Sequence, residues 1–308
     1  MTVAVIDLGT LTTRLLLVDS DRRERFQPMT RMGEGLAVDG RISPAALERV
    51  RAVLVEHRDR IEAAAPSATR VVATSAARDA RNRDELFAIV LDVLGQPVDL
   101  LDGHEEGRLA FAGAVAARDP ESVAPGELVA VVDIGGGSTE FSVGSGDGRV
   151  IGVMSTDMGA GRVTSNYLPS DPPRPEELSA ALSVIQLHLD DARRELPALD
   201  LAIGSGTVLG VGGTITTVAA VELGLLDLDD RSAIHGFVLE REAVEDVFRT
   251  LATESLVDRR HNPGLPPDRA EVIVGGCAVL VGMMRHLAIE QIVVSEHDLL
   301  DGVASELV

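Results

Sequence analysis

Two stretches of this sequence share one pattern and predict its fold: IDLGTLTTRLLLV at residues 6–18 and VDIGGGSTEFSV at residues 132–143. In each stretch an apolar run ends at an Asp, a turn with Gly and Ser or Thr follows, and a second apolar run begins. Short apolar runs broken in this way are typical of two strands joined by a tight turn. Because the copies lie 126 residues apart and each begins one half of the chain, we interpret them as an internal repeat.

The repeat predicts two α/β domains, residues 1–122 and 123–296. A polar stretch with two Pro and one Gly, RDPESVAPGE at 118–127, is the linker expected between them. The last segment, 297–308, is expected to be a helix that packs back on the first domain.

Local patterns predict several elements inside these domains. Ser43 and Pro44 precede apolar residues at helical spacing, which predicts a helix over 44–64. A second helix is predicted over 83–95, closed by a Gly at its end. The stretch VVATSA at 71–76 is predicted to be a buried strand with a polar end.

The turn residues have the chemistry needed to bind phosphate. Gly permits the dihedrals and the close approach that let several N–H groups point at one anion, and hydroxyl groups add further donors. The GVGGT stretch at 210–214 leads into a helix, whose N-terminus is another anion site. The phosphate-binding residues predicted from these turns are Gly9, Thr10, Thr12, Gly212, Gly213 and Thr214.

An Asp ends the first strand of each copy. A carboxylate repels phosphate, so we expect Asp7 and Asp133 to hold a divalent cation, directly or through water. Two such hairpins facing each other across a cleft would clamp a chain of phosphates together with Mg²⁺. One D-x-G motif is common in ordinary hairpins, whereas three glycine-rich segments in this order favour a binding site.

Composition excludes several classes of protein and of site. The net charge is −21 and only seven residues are aromatic (six Phe, one Tyr, no Trp), which argues against nucleic-acid binding. All 28 basic residues are Arg, which excludes a Lys Schiff base and the lysine-containing phosphate loop of Walker-type NTPases. Phosphate must therefore be bound by Arg, backbone N–H groups, hydroxyls or a metal ion.

The sequence predicts a cytoplasmic protein without a membrane segment. The N-terminus MTVAVIDLG has neither a basic region nor a long apolar stretch, so no signal peptide is expected. No run approaches the roughly 18 uncharged residues of a membrane span. The single Cys277 cannot form an intramolecular disulfide and is interpreted as a buried apolar residue on a helix.

Taken in order along the chain, the motifs resemble those of the exopolyphosphatase / guanosine pentaphosphate phosphohydrolase family, which shares its superfold with sugar kinases and actin. The resemblance covers nearly the whole chain and rests on the conjunction of the motifs. These are IDLGT, MGEGL at 32–36, ATSAARDARN at 73–82, DGHEEGRLAFAGA at 102–114, DIGGGSTE at 133–140, MGAGRVT at 158–164, GVGGTITT at 210–217, HG at 235–236, RAEVIVGG at 269–276 and SEHDLLDGV at 295–303.

The resemblance implies two actin-like (ribonuclease H-like) ATPase domains with mixed sheets and an active site in the cleft between them. It implies a catalytic base at Glu106, the second residue of a Glu-Glu pair, and a phosphate contact at Arg78. Asn82, four residues after Arg78 and expected on the same helical face, is a predicted supporting group. The family also implies a homodimer.

The second hairpin loop is expected to bind both the phosphate and a metal ion. By the resemblance, Asp133 and Glu140 coordinate Mg²⁺ (or Mn²⁺). The donors to phosphate in this loop are expected to be Gly135, Gly136, Gly137, Ser138 and Thr139.

Three positions depart from the family pattern. Leu11 stands where the family commonly has a polar residue, so the first loop is expected to rely on its backbone and on Thr10 and Thr12. Asp102 adds negative charge before the Glu pair, and Glu296-His297 replaces a common Asp-Gly or similar pair. These changes bear on substrate preference and turnover rather than on the fold.

Four functions are compatible with these motifs. The first is an exopolyphosphatase acting on chain ends of inorganic polyphosphate, and the second hydrolyses the 5′-terminal phosphate of guanosine pentaphosphate. A sugar kinase would need an acceptor pocket and usually an Asp base in place of Glu106. A non-catalytic sensor of polyphosphate or alarmone is the fourth, suggested by Leu11.

Overall fold

The structure, a computed structural model, describes residues 1–119, 124, 126–228 and 231–308, without the side chain of residue 205. Residues 120–123 and 125 of the predicted linker therefore lie outside the described residues, and the boundary between 122 and 123 stays a prediction. Among the described residues, no helix is both long and apolar enough to span a membrane.

The first half forms a five-stranded mixed sheet in the order β3-β2-β1-β4-β5. Strand β1 is antiparallel to β2 and parallel to β4, and β4 is parallel to β5. Its strands are β1 Val3–Leu8, β2 Thr13–Val18, β3 Arg23–Phe26, β4 Ala68–Ala73 and β5 Val98–Leu100, and its helices are α1 Leu36–Asp39, α2 Pro44–Ala64, α3 Ser75–Asp79, α4 Arg83–Leu94 and α5 Gly103–Ala116.

The second half forms a six-stranded mixed sheet in the order β10-β11-β9-β6-β7-β8. Its strands are β6 Leu128–Ile134, β7 Thr139–Ser145, β8 Val150–Thr156, β9 Thr207–Val211, β10 Val238–Glu240 and β11 Gln291–Val294. The remaining helices are α6 Ala160–Tyr167, α7 Pro175–Glu195, α8 Ala198–Ser205, α9 Gly212–Glu222, α10 Arg241–Thr253, α11 Leu256–Arg259, α12 Ile273–His286 and α13 Leu299–Ser305.

The strand order repeats between the halves. Reading β8-β7-β6-β9-β11 in the second sheet gives the same order and directions as β3-β2-β1-β4-β5 in the first, except that β10 adds an antiparallel edge. The turns also repeat, because the Gly9 N–H donates to the Thr12 carbonyl and the Gly135 N–H donates to the Ser138 carbonyl, each at 3.0 Å. The predicted mixed α/β fold with an internal repeat is confirmed.

The predicted helices of the first half are confirmed, and one predicted strand is shorter than expected. The Ser43 hydroxyl caps α2 by accepting from the Ala46 N–H at 3.1 Å, and α4 ends at Gly95 with a left-handed φ of 65°. Strand β4 ends at Ala73, and the TSA segment begins helix α3 instead of extending the strand. The reason is local, because the Thr74 carbonyl accepts the backbone N–H groups of residues 77 and 78 and so begins the helical hydrogen-bond pattern.

Helix α13 lies against the first half, on α5 and the β1 and β2 strands. Its apolar residues share a buried cluster with Val3, Val5 and Leu16 of the first sheet. The backbones of α5 and α13 touch, because a Cβ added at Gly113 would lie 2.1 Å from the Asp298 carbonyl oxygen. Cys277 is buried in α12, as predicted, and burial raises the pKa of its thiol to about 12.

Candidate active site

A small cavity of about 70 Å³ lies where the loops of the two halves meet. The loops at the ends of β1, β4 and β6 and the start of α9 supply most of its walls. Further residues come from β2, the segment after β3, α5, α6 and the segment before α12. We call it the inner cavity. The predicted site residues that line it are Asp7, Gly9, Thr10, Thr12, Glu106, Asp133, Gly135, Gly136, Gly137, Ser138, Gly212, Gly213 and Thr214.

The two hairpin loops present backbone donors to this cavity. Among the described residues, no hydrogen bond uses the backbone N–H groups of Thr10, Gly136, Gly137 or Ser138. Buried N–H groups in folded proteins almost always have a partner, so these donors are suited to a ligand. Gly137 also requires its lack of a side chain, because a Cβ there would lie 2.5 Å from the Ser75 hydroxyl.

The third glycine-rich segment brings an Arg into the cavity. Gly212 has a φ of 87°, and a Cβ there would lie 2.3 Å from the Asp133 carboxylate. A Cβ on Gly213 would lie 2.0 Å from a guanidinium nitrogen of Arg269, so that side chain lies directly on the glycine. Among the described residues, no hydrogen bond or ion pair holds the Arg269 guanidinium, and burial lowers its pKa to about 10. This cation lines the cavity and is suited to bind an anion there.

Asp7 is held by an Arg that the sequence analysis did not identify. Arg14 lies opposite Asp7 in the β1–β2 ladder and binds its carboxylate at 2.7 Å, while another nitrogen of Arg14 lies 2.6 Å from Asp298. Burial raises the pKa of Asp7 although Arg14 opposes the shift. The sequence could have predicted this pair, because a four-residue turn between β1 and β2 places residues 7 and 14 opposite each other.

The second hairpin has no such cation. Asp133 lies opposite Glu140, so two carboxylates occupy the position of the Asp7–Arg14 pair. Burial, with the negative charge of Asp298, raises the pKa of Asp133 to about 7, and burial with the charge of Glu106 raises that of Glu140 well above its usual value. The Glu140 carboxylate accepts from the Ser155 hydroxyl at 2.7 Å. This side of the cavity therefore has an excess of buried negative charge.

Glu106, the predicted base, binds Arg78, the predicted phosphate contact, and Arg78 itself does not line the inner cavity. Glu106 is in the first turn of α5 and is only 8% exposed. Its Oε2 accepts from Arg78 Nη1 at 2.6 Å, and the same nitrogen donates to the Leu101 carbonyl at 3.0 Å. Burial raises the pKa of Glu106 to about 7, because the charge of Arg78 offsets only part of the desolvation. A carboxylate with this pKa is suited to proton transfer near neutral pH.

Two predicted phosphate-binding residues lie elsewhere. Helix α3 ends at Asp79, so Asn82 is not on a helical face with Arg78, and its amide group is bonded to both backbone groups of Ile42 at 2.9 and 3.0 Å. The Thr139 hydroxyl donates to the Met158 carbonyl inside the second half. Neither residue lines the inner cavity. The polar side-chain atoms of both are hydrogen-bonded to backbone groups of other segments.

The inner cavity offers the carboxylates of Asp7 and Asp133 to a divalent cation. No three His, Cys, Asp or Glu side chains converge within the described part of the chain in a way that could hold a metal ion. However, Oδ1 of Asp7 is buried without a hydrogen-bond partner, and the Asp133 carboxylate lines the same cavity. Mg²⁺ usually takes one or two carboxylates and completes its shell with water and substrate phosphate oxygens. The donor set fits Mg²⁺ on these terms.

A second cavity of about 310 Å³, which we call the outer cavity, adjoins the inner one. Two ion pairs between the halves line it: Arg31 with Glu271, and Arg162 with Asp79, each at 2.6 Å. Apolar side chains, among them Leu36, complete the wall.

The Ppx/GppA phosphatase family matches residues 23–308 of the chain. The chain belongs to this family. A phosphatase of this family is a hydrolase, in agreement with the two loops of donors and the buried carboxylate of the inner cavity. The motifs quoted from the sequence therefore identified the family correctly.

Among curated relatives, this Ppx/GppA protein is similar to exopolyphosphatase 2 of Mycobacterium tuberculosis, with 36% identity over 323 residues that cover 99% of this chain and 98% of the relative. It is also similar to exopolyphosphatase 1 of Mycobacterium bovis, with 29% identity that covers 98% of this chain and 87% of the relative.

Solved structures agree with this assignment. The crystal structure of an exopolyphosphatase-like protein superposes with a TM-score of 0.93 at 30% identity, covering 100% of this chain and 98% of the other. A Ppx/GppA enzyme of Aquifex aeolicus superposes with a TM-score of 0.77 at 27% identity, covering 99% of both chains. The two-domain actin-like fold predicted from the sequence is confirmed.

Proposed function

We propose that this Ppx/GppA protein is an exopolyphosphatase that releases orthophosphate from the ends of inorganic polyphosphate. The observation that carries the proposal is the inner cavity, in which a buried carboxylate with a pKa of about 7, Glu106, shares the walls with two loops of unpartnered N–H groups. The names of the curated relatives in Mycobacterium tuberculosis and Mycobacterium bovis support this choice of substrate.

In the proposed reaction, the terminal phosphoryl group lies among the loop N–H groups and Arg269. A water molecule beside Glu106 attacks the terminal phosphorus in line with the bridging oxygen. Glu106 takes a proton from that water as the new P–O bond forms, and the bridging P–O bond breaks. The products are orthophosphate and a polyphosphate shorter by one unit. Arg78 holds Glu106 in place and keeps its pKa from rising further.

We include Mg²⁺ (or Mn²⁺) in the proposal, held by Asp7 and Asp133, with Glu140 behind Asp133. When bound, the ion would neutralise charge on the phosphate oxygens. Two observations support the ion. Oδ1 of Asp7 is buried without a hydrogen-bond partner, and Asp133 and Glu140 place buried negative charge beside the cavity. The loop donors and Arg269 act on the phosphate independently of the ion.

A second candidate is the hydrolysis of guanosine pentaphosphate at its 5′-terminal phosphate. The outer cavity favours it, because about 310 Å³ with apolar side chains is within the range of small-molecule pockets, about 300–1,000 Å³, and could take a nucleoside. The inner cavity would then hold the terminal phosphoryl group in the same way.

Orthophosphate release from polyphosphates of defined length and from guanosine pentaphosphate, each with Mg²⁺, tests both candidates. Release from polyphosphate supports the proposal, and release from guanosine pentaphosphate alone selects the second candidate. If the protein binds these substrates but releases no orthophosphate from any of them, the hydrolytic proposal is overturned and the sensor function is supported. The homodimer and the cytoplasmic location stay predictions, of which sedimentation velocity tests the first.

A further inference from the structure

The inner and outer cavities share part of their walls, which we call the neck. Five residues line both cavities and therefore define it: Thr10, Leu11, Ser75, Gly137 and Val272. If a chain of phosphates has its end beside Glu106 and its remainder in the outer cavity, the phosphates next to the terminal one lie beside these residues.

Leu11 extends across the neck from one half of the protein to the other. Its carbonyl accepts the N–H groups of Thr30 and Arg31, both at 2.8 Å, so the first loop is fixed to its own half. Its side chain reaches the second half, because a Cβ added at Gly136 would lie 2.6 Å from Leu11 Cγ, and one added at Gly161 would lie 3.0 Å from its Cδ2. The glycines at these two positions make room for Leu11.

The side chain of Leu11 offers no donor to the neck, whose donors are the backbone N–H groups of Thr10 and Gly137 and two hydroxyl groups. Leu11 and Val272 are apolar, and the hydroxyls of Thr10 and Ser75 lie around Gly137, at 2.6 and 2.5 Å from the position of its absent Cβ. Each phosphate in a chain carries a negative charge, and a charge placed beside an apolar side chain loses hydration without gaining a hydrogen bond. Arg162 donates to the Gly137 carbonyl at 2.7 Å and to the Ser75 hydroxyl at 3.4 Å, so the penalty is confined to phosphates that contact the Leu11 side chain.

We propose that Leu11 determines substrate specificity by penalising the phosphates that lie in the neck, so that this protein gains little affinity as the substrate lengthens. The inference rests on the proposed function, since it concerns the same phosphate substrates. An amide of nearly the same shape at position 11 would replace the penalty by a charge-assisted hydrogen bond.

The test compares wild type with Leu11→Asn on long-chain polyphosphate and on orthophosphate, which has no second phosphate to place in the neck. For Leu11→Asn we expect the KM for long-chain polyphosphate to fall about tenfold with kcat unchanged, and the Kd for orthophosphate to stay the same. Leu11→Met keeps an apolar neck and should keep the wild-type ratio between the two ligands. Leu91→Asn makes the same exchange at an exposed position outside both cavities and controls for the polarity of the new side chain.

Equal changes for both ligands in Leu11→Asn, or the same gain in Leu11→Met or Leu91→Asn, would overturn the assignment of Leu11. Circular dichroism and thermal unfolding show whether each variant is folded. If wild type binds polyphosphate but releases no orthophosphate, the proposed function fails, and the Kd of long-chain polyphosphate replaces KM in the same comparison. Binding of neither ligand by wild type would overturn both proposals.

Discussion

Arg14 binds the Asp7 carboxylate at 2.7 Å directly across the β1–β2 hairpin. The same register position of the β6–β7 hairpin pairs two acids, Asp133 and Glu140. The repeated hairpins are therefore alike in backbone and opposite in charge balance, because one acid has a buried cation beside it and the other has a second acid. A bound cation would relieve the imbalance at the second hairpin.

The first prediction concerns stability. The pKa of Asp133 is raised to about 7 by burial, so its contribution to folding is present at pH values below the unfolded pKa and is lost as the pH rises through about 7. Asp133→Asn should therefore stabilise the protein at pH 8 by about 2–4 kcal/mol in the presence of a chelator, and little at pH 4. Thermal unfolding at the two pH values measures this, with Asp59→Asn on the exposed surface as control. A lower melting temperature for Asp133→Asn at pH 8 would contradict the charge imbalance.

The second prediction concerns the metal ion. Mg²⁺ should raise the melting temperature of wild type at pH 8 and should raise that of Asp133→Asn much less, because a carboxylate ligand has been removed. Chelator should abolish orthophosphate release, and added Mg²⁺ should restore it. An equal Mg²⁺ effect on both proteins would place the ion elsewhere.

The third prediction concerns the catalytic base. Glu106→Gln keeps the shape of the side chain but cannot take a proton, so orthophosphate release should fall by about 10²–10⁴-fold. Glu105→Gln is the matched control, because that neighbouring carboxylate pairs with Arg108 at 2.7 Å and does not line the cavity. Unchanged turnover in Glu106→Gln would remove Glu106 from the mechanism.

The fourth prediction concerns pH dependence. Release should increase with pH through about 7, as Glu106 loses its proton. The charge of Arg78 lowers the pKa of Glu106 against the effect of burial, so Arg78→Met should move this rise to higher pH, and Arg78→Lys should move it less. The pH profile of kcat/KM is the measurement. A rise at the same or a lower pH in Arg78→Met would show that the profile reports another group.

The fifth prediction concerns Arg269, whose guanidinium has no hydrogen-bond or ion-pair partner among the residues that the structure describes. Arg269→Met removes a charge-assisted donor, so KM for polyphosphate should increase about 10–100-fold. Arg249→Met, which alters an exposed surface Arg, should leave KM within about twofold of wild type. If Arg269→Met binds polyphosphate as wild type does, the anion lies away from α9.

The sequence predicted the parts of the site that depend on local patterns. The two hairpin loops and the Gly212–Gly213 segment could be found because Gly and Asp at strand ends mark tight turns of the backbone. The resemblance named Glu106 and Arg78, but it assigned Arg78 to the phosphate and did not predict that the two residues pair. Arg269, by contrast, follows a loop with several Pro and reaches the cavity only through the packing of the segment before α12.

Two of the predicted phosphate contacts lie away from the inner cavity for the same physical reason. Asn82 and Thr139 have the right chemistry for phosphate, and their positions in the sequence lie close to the loops. Each instead satisfies a buried backbone group of a distant segment, Ile42 and Met158 respectively. The hydrogen-bond partner of a buried polar side chain depends on long-range packing. The spacing of residues along the chain does not predict that packing.

The contact between α5 and α13 has a consequence for biosynthesis. The ribosome makes α5 early, but the helix that covers it and supplies Asp298 to Arg14 emerges only after the whole second sheet has been made. Domains made first usually fold first during translation. Here the amino-terminal half keeps an apolar surface uncovered until α13 has been made. The contacts of Arg14 with Asp7 and Asp298 can therefore be complete only after both sheets have been synthesised.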